Sequence, residues 1–449
     1  MNPIVEVDLN VLFEEAKNVL LNNRIGKFTK PAPALYPHQW NWDAGFISIG
    51  YAYFDMEQAE SELRYLFSGQ WANGMLPHII FNPDGDGQYF PGISFWETWR
   101  SFDAPEQVNT SGISNPAVHG FVLQRMYEIA EDKDRALDFV QEMFPKIKAL
   151  HAYFYSERDP YHEGLVYIRH PWESGNDNSP TWDAPLERID FSKVKVPPFT
   201  RKDLNTSHAD HRPTNRDYDR YIYLIDVFRK GDYKEDKIFS TTPFAVQDPL
   251  FNTILIKSNQ AMIDMGRLIG EDIAIFKDWN VKSVAAMNDK LWNEQTGMYD
   301  AYDLINEERI EMEASSGLMP LFANVPSEKQ AKIIVKNLMG PKFHQHHDQS
   351  YYLCPSFTPL SSKFDPKKYW RGPVWINMNW MLYQGLKRYG FRNEATHIKE
   401  DSLKLLSYYG FYEYFDPRKN LPQEKAQGYG SPQFSWSAAL CLDWLSSDL

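Results

Sequence analysis

The chain has 449 residues, of which 43% are hydrophobic and 24% charged, with no long glycine or serine tract, so it can bury a core along its whole length. A net charge of -13 and a pI near 5.4 repel a phosphate backbone and exclude nucleic acid as a partner. Two cysteines, Cys354 and Cys441, exclude a disulfide framework and sit in no metal-ligand spacing.

From the N-terminus, VDLNVLFEEAKNVLL reads as an amphipathic helix without the basic start and apolar run of a secretory signal. No later apolar run reaches bilayer length, which predicts a soluble, cytoplasmic protein. Next comes YPHQWNWDAGF, carrying Tyr36, Trp40, Trp42 and Asp43. DGDGQ at 84 to 88 begins like a calcium loop but lacks the remaining acids and the final Glu, so it reads as a turn that carries Tyr89 forward. Helical spacing returns in AVHGFVLQRMYEIAED and ALDFVQEMFPKIKALHAYFYS. The loop HPWESGNDNSPTWD then packs Trp172, Glu173, Gly175, Asp177 and Asp183 into one short segment.

Residues 184 to 214 hold Pro185, Pro197, Pro198 and Pro213 and few periodic apolar positions. Helices of the same character resume beyond them, so they read as an excursion from one domain. It ends in HRPTNRDYDRYIY, with Arg212, Arg216, Tyr218 and Arg220. PLFNTILIKSNQAMIDMGRLIGED, IFKDWNVKSVAAMNDKLWN and EKQAKIIVKNLM continue the helical pattern. HQHHD at 344 to 348 reads as a solvated loop, because ligands on successive loop residues rarely converge on a metal. YWRGPVWINMNW supplies Tyr369, Trp370, Arg371 and Trp375, with Trp380 at core spacing on the following helix. After EATHIKEDSLKLLSYYG come GFYEYFDP, with Glu413 and Asp416, and KAQGYGSPQFSW, with Gln427.

Many helices stop at a glycine (Gly270, Gly297, Gly340, Gly390, Gly410), and long alternating runs are scarce, so strands should be short hairpins. GMYDAYD at 297 to 303 and GFYEYFD at 410 to 416 repeat one pattern after matching helices. The expectation is an all-α fold of residues 1 to 449, an (α/α)6 barrel built as a six-hairpin toroid, with 184 to 214 as a loop-rich cap over its mouth.

Aromatic residues reach 15%, and many stand beside acids and amides in loops. Aromatic faces stack on sugar C–H faces while neighbouring polar groups bind hydroxyls, which predicts a carbohydrate ligand. Glycoside hydrolysis needs two carboxyl groups flanking the scissile bond, and three aromatic loops offer them, around Asp43, around Asp177 and around Glu413. Two other classes share these features. A sugar epimerase would use histidine pairs among His38, His78, His119 and His170, and a non-catalytic carbohydrate-binding protein would need only the rings.

YPHQWNWDAGF, HPWESGNDNSPTWD, YWRGPVWINMNW and GFYEYFDP, in that order over residues 30 to 445, resemble glycoside hydrolase family 63 and in particular its small hydrolases of mannosylglycerate and glucosylglycerate. The resemblance implies an inverting α-glycosidase without metal or cofactor, with Asp177 as general acid and Glu413 as general base. It implies that Asp43 grips the sugar and that Tyr369, Trp370 and Trp375 line the pocket. It places Arg212 and Tyr218 on glycerate, with Tyr36, Trp40, Trp42, Tyr89, Trp172, Glu173, Gly175 and Gln427 as further substrate contacts. Glu173 and Asp183 are expected to supply orienting hydrogen bonds, and Asp300, at the place of Glu413 in the sister loop, has no assigned role. The substrate would be 2-O-α-glucosylglycerate or -mannosylglycerate; glucosylglycerol or a short α-linked glucoside is the alternative. Self-association into a homo-oligomer stays open.

Overall fold

The computed structural model describes residues 8–85, 87–204, 209–419, 421 and 428–446. It is rich in helix. The helices that matter for the site are α1 (Leu9–Asn23), α2 (Asn41–Tyr51), α3 (Met56–Phe67), α4 (His119–Ile129), α5 (Lys133–Glu157), α6 (Asn215–Lys230), α7 (Pro249–Ile269), α8 (Ala274–Ala286), α9 (Glu328–Leu338), α10 (Ile376–Arg388), α11 (Arg392–Tyr409) and α12 (Ser435–Ser446), with a 3-10 segment at Ser315–Leu321. None of the helices is long and apolar enough to cross a membrane among the described residues.

Six of these helices begin where short polar side chains accept orphan backbone N–H groups. Asp8, Asp55, Asp132 and Asp248 cap α1, α3, α5 and α7, and Thr214 and Ser327 form capping boxes at α6 and α9. Gly270 ends α7 in the left-handed region, while Gly297 turns a hairpin and not a helix. The expected short strands are present as two- and three-stranded pieces, among them Tyr412–Phe415 paired with Gly428–Pro432.

Six segments form a ring of contacts: α2 packs on α4, α4 on α7, α7 on the 3-10 segment, that segment on α10, α10 on α12, and α12 back on α2. The other helices back this ring. α1 packs against α12, α3 against α2, α5 against α4 and α7, α8 against α7, α9 against the 3-10 segment, and α11 against α10. Every residue of α2 is buried, as an element enclosed on all sides must be.

Periodicity misses α2, α3, α6 and α12. α2 and α12 are apolar or small around most of their circumference, and the buried side of α3 includes Gln58, Glu60 and Glu62. α6 carries so many charges that it reads as part of the excursion. Among its described residues the excursion has a short helix at its start, Asp183–Glu187, and a 3-10 turn at Ala209–His211 before α6. HQHHD forms the hairpin Gln345–His346 with Gln349–Ser350, and Pro83–Gly85 is a 3-10 turn ahead of Tyr89.

Candidate active site

The N-terminal ends of the inner helices meet at a narrow cavity of about 70 Å³. α2 contributes Trp42 and Asp43 from its first turn, with Trp40 as the residue before it. Trp375 precedes α10, and Phe434 and Trp436 flank the start of α12. The rings are fixed by one another. Trp370 and Trp375 stack at 3.8 Å with 2° between planes, Trp40 meets Tyr36 and Tyr89 edge-on at 5.0 and 5.1 Å, and Trp42 meets Trp436 edge-on at 5.3 Å.

Glu413 enters on the strand Tyr412–Phe415 and is buried. The Tyr36 hydroxyl donates to its Oε1 at 2.6 Å and the Ser431 amide to its Oε2 at 3.1 Å, while Arg212 Nη1 stands 3.8 Å from Oε1. Burial pushes this carboxyl above its ordinary range; Arg212, Tyr36, Ser431 and Tyr369 act against that push by stabilising the ionised form. Gly430 makes the pocket for it. The residue sits at φ +73°, and a Cβ there would lie 2.3 Å from Glu413 Oε2.

Asp177 comes from the loop after the 3-10 turn Pro171–Ser174. Gly175 lies at φ +79° with the Trp42 ring where a Cβ would be, so only glycine lets the loop pass. Tyr221 of α6 donates to the Asp177 carbonyl at 3.0 Å, and Trp182 Nε1 to the Asn176 carbonyl at 2.9 Å. The Asp177 carboxyl faces the cavity, and burial pushes it up to about 7, helped by Glu413 and Asp203 and opposed by Arg212. Asp43, also in the wall, is held well above the usual carboxylate range by burial and then by Glu413.

Arg212 and Pro213, at the end of the excursion, close one side. The Arg212 guanidinium lies 4.4 Å over the Tyr369 ring, 3.6 Å from Asp203 Oδ2, and donates to the Tyr36 hydroxyl at 3.4 Å. Tyr218 is buried beside it under Arg201, at 3.8 Å from the ring centre. Arg220 pairs with Asp217 at 3.3 Å, and Arg216 is exposed away from the wall.

Thus Tyr36, Trp40, Trp42, Asp43, Tyr89, Trp172, Gly175, Asp177, Arg212, Tyr218, Tyr369, Trp370, Trp375 and Glu413 share one cavity wall. Glu173 is a correction. It does not reach the cavity, because its carboxylate is consumed in a fully buried network: Arg158 pairs with it, the Arg169 amide donates at 2.8 Å and the Ser114 amide at 3.2 Å. Although burial pushes it up, Arg158 and Arg169 hold it below its ordinary value. Glu235 pairs with Arg169 and accepts from Tyr167, completing the cluster under the loop. Asp183 pairs with Arg371 and with Lys363 at 3.0 Å, so Arg371 holds an acid and not a carbonyl. Asp300 is buried elsewhere, accepting from Asn293 at 2.7 Å. Gln427 lies outside the described residues.

Sequence reasoning missed Ser431 and Gly430, although GYGSP signals a special backbone, and did not place Asn115, which donates to the Trp172 carbonyl at 3.0 Å. Among the four histidines only His78 lines the cavity. His170 is spent on the Trp172 amide and the Tyr221 carbonyl, and burial pushes both imidazoles down to about 3. The paired histidine acid and base of an epimerase are not assembled among the described residues.

Residues 36–437 match the family described as the mannosylglycerate hydrolase MGH1-like glycoside hydrolase domain. The chain belongs to that family. It is a glycoside hydrolase, and this MGH1-like chain is 40% identical to the mannosylglycerate hydrolase of Rubrobacter radiotolerans over 432 residues, 96% of each chain. It is 34% identical to the glucosylglycerate hydrolase of Mycolicibacterium hassiacum over 444 residues, 97% of each. The crystal structure of the family 63 mannosylglycerate hydrolase from Thermus thermophilus in complex with Tris and D-glycerate superposes on the MGH1-like chain with a TM-score of 0.88 at 41% identity, covering 96% of this chain and 99% of that one.

Proposed function

We propose that the enzyme hydrolyses a 2-O-α-glycosylglycerate, with mannose or glucose as the sugar, and inverts the anomeric carbon. One observation carries the reading: a Glu413 carboxylate fixed by Tyr36, Ser431 and Arg212 shares a cavity with an Asp177 carboxyl pushed up to about 7. Inversion needs one protonated and one ionised carboxyl group on opposite sides of the sugar. Asp177 gives its proton to the glycosidic oxygen as the bond to the anomeric carbon breaks. Glu413 takes a proton from the water that attacks that carbon from the other face, so a β-sugar and glycerate are the first products. Asp43 and the ring-lined wall hold the sugar. Arg212 forks onto the glycerate carboxylate with Tyr218 beside it, a use for a buried guanidinium that neutral glucosylglycerol does not offer.

The substrates named for the relatives support the glycerate, and their two sugars leave mannose and glucose as the alternatives. We read the ring of helix pairs as an (α/α)6 toroid forming one catalytic unit, with 184 to 214 over its mouth. The test supplies mannosylglycerate, glucosylglycerate, glucosylglycerol and an α-linked disaccharide separately and follows released sugar by NMR. The expected result is cleavage of a glycerate compound with the β-anomer first. An α-anomer first, or preference for a neutral compound, overturns the reading.

A further inference from the structure

The two carboxyl groups of the candidate site are held in different ways. Glu413 is gripped at its carboxylate oxygens by Tyr36 and Ser431. The Asp177 carboxyl leans on its own backbone amide, so its position follows the backbone that carries it. That backbone is a β-turn. The Ser179 amide donates to the Asn176 carbonyl at 3.0 Å, which puts Asp177 and Asn178 at the two central positions. Asn176 is fixed on both sides: its amide donates to Ser174 Oγ at 3.0 Å, and its carbonyl also accepts from Trp182. The next peptide unit, between Asp177 and Asn178, has less to hold it. Among the described residues one partner takes the Asp177 carbonyl, the buried Tyr221 hydroxyl at 3.0 Å.

That unit is the one that a β-turn can turn over. Type I and type II turns differ by rotation of the central peptide, which changes ψ of the first central residue by about 150° and takes the second to positive φ. Asn178 has no positive φ here, so the turn is not of the second kind. Asparagine nevertheless tolerates left-handed φ better than most residues, so sterics alone do not bar the flip. The Tyr221 hydroxyl bars it, because a donor placed on the Asp177 carbonyl loses its acceptor when the peptide turns over. Tyr221 is seated to act as an anchor. It lies in α6, its carbonyl accepts from His170 Nε2 at 3.1 Å, and its ring centre is 5.5 Å from that of Trp172. Tyr218, one turn earlier on the same helix, borders the cavity, whereas Tyr221 stands behind the wall.

We infer that Tyr221 is a positioning residue for the general acid: from α6 it pins the Asp177 carbonyl, fixes the turn and so keeps the carboxyl aimed at the glycosidic oxygen. The inference rests on Asp177 being the proton donor, and it adds a residue that does not border the cavity. A hydroxyl in that role matters only where a proton must be delivered. Its removal is therefore felt on a poor leaving group and not on a good one.

Steady-state kinetics of the full-length Tyr221→Phe variant, on the glycosylglycerate that the enzyme cleaves and on the dinitrophenyl α-glycoside of the same sugar, tests this. Loss of one hydrogen bond should lower kcat on the glycerate compound by about tenfold, with KM little changed, and leave kcat on the dinitrophenyl compound as it was. Tyr155→Phe removes a buried hydroxyl that meets Ser283 Oγ at 2.9 Å and lies outside the cavity wall, so it should leave the ratio of the two rates unchanged. Asn178→Gly, which frees the turn to flip with Tyr221 in place, takes over with the same expected pattern should Tyr221→Phe not fold. Equal loss on the two substrates, or loss on neither, overturns the inference. Asp177→Ala run alongside keeps the two readings apart. If it regains nothing on the dinitrophenyl compound, Asp177 is not the acid and the inference falls with that assignment; if it does regain activity, equal losses in Tyr221→Phe refute the positioning role alone.

Discussion

Gly430→Ala isolates the part of the site that holds Glu413. At φ +73° an added Cβ costs about 1 to 2 kcal/mol of backbone strain, and it would stand 2.3 Å from Glu413 Oε2 where ordinary contact begins at 3.4 Å. The carboxylate must therefore retreat by about 1 Å, out of the grip of the Ser431 amide and Tyr36. A displacement of that size in a group that positions an attacking water costs roughly 10²-fold in rate. Gly270→Ala is the control: it sits at φ +75°, but nothing lies within 4 Å of its Cβ position. Both variants should lose stability in urea melts, Gly430→Ala the more because its Cβ would also stand 2.7 Å from Glu413 Cβ and 2.8 Å from Tyr414 Cε1, and only Gly430→Ala should lose kcat/KM, by about 10²-fold. Equal activity in the two would mean that the position of Glu413 is not set by this glycine.

Asp177→Ala should lose most activity on the natural glycoside and recover part of it on an activated aryl or fluoride leaving group, whereas Glu413→Ala should not recover; steady-state kinetics on both substrate types decides. Activity should fall as pH rises through about 7, where Asp177 gives up its proton. That folded value lies above the unfolded one, about 4, so the stability tied to the protonated carboxyl is full below pH 4 and lost toward pH 7. Asp177→Asn, which carries no charge, should raise Tm at pH 8 but not at pH 4. Arg212→Ala should harm a glycosylglycerate more than glucosylglycerol. It should also move the acid limb of the pH–rate profile upward on both, because Arg212 stabilises ionised Glu413. Glu173→Ala, which strands Arg158 and Arg169 in a dry cluster, should cost about 3 to 5 kcal/mol of stability in urea melts.

Outer helices such as α9 were legible because they have two unlike faces, as EKQAKIIVKNLM shows, whereas α3 hid its period by burying Gln58, Glu60 and Glu62. α2 and α12 were not, because a helix inside a ring has no polar face to mark its period. The site followed a similar division. Rings and acids crowded into WNWDAGF, HPWESGNDNSP and GFYEYFDP announced it, since solvent-facing loops rarely need tryptophan. What stayed hidden was which acid faces inward: Glu173 and Asp177 sit four residues apart, and only the arginines delivered from Arg158 and Arg169 turn one into scaffold. Ser431 acts through its amide, which no side-chain pattern reports.

The last helix closes the ring against the first hairpin. Asn23 donates to the Gln433 carbonyl at 2.7 Å and to Ser435 Oγ at 2.9 Å, and α12 packs on both α1 and α2. During synthesis α2 therefore leaves the ribosome hundreds of residues before the surface that covers it exists. The nascent chain must carry an enclosed helix uncovered for most of its translation time, a state that invites aggregation or chaperone capture. Glu413, Phe434 and Trp436 all arrive in that final stretch, so every earlier intermediate lacks one wall of the cavity. Hydrolysis would then wait until this stretch has left the ribosome and folded.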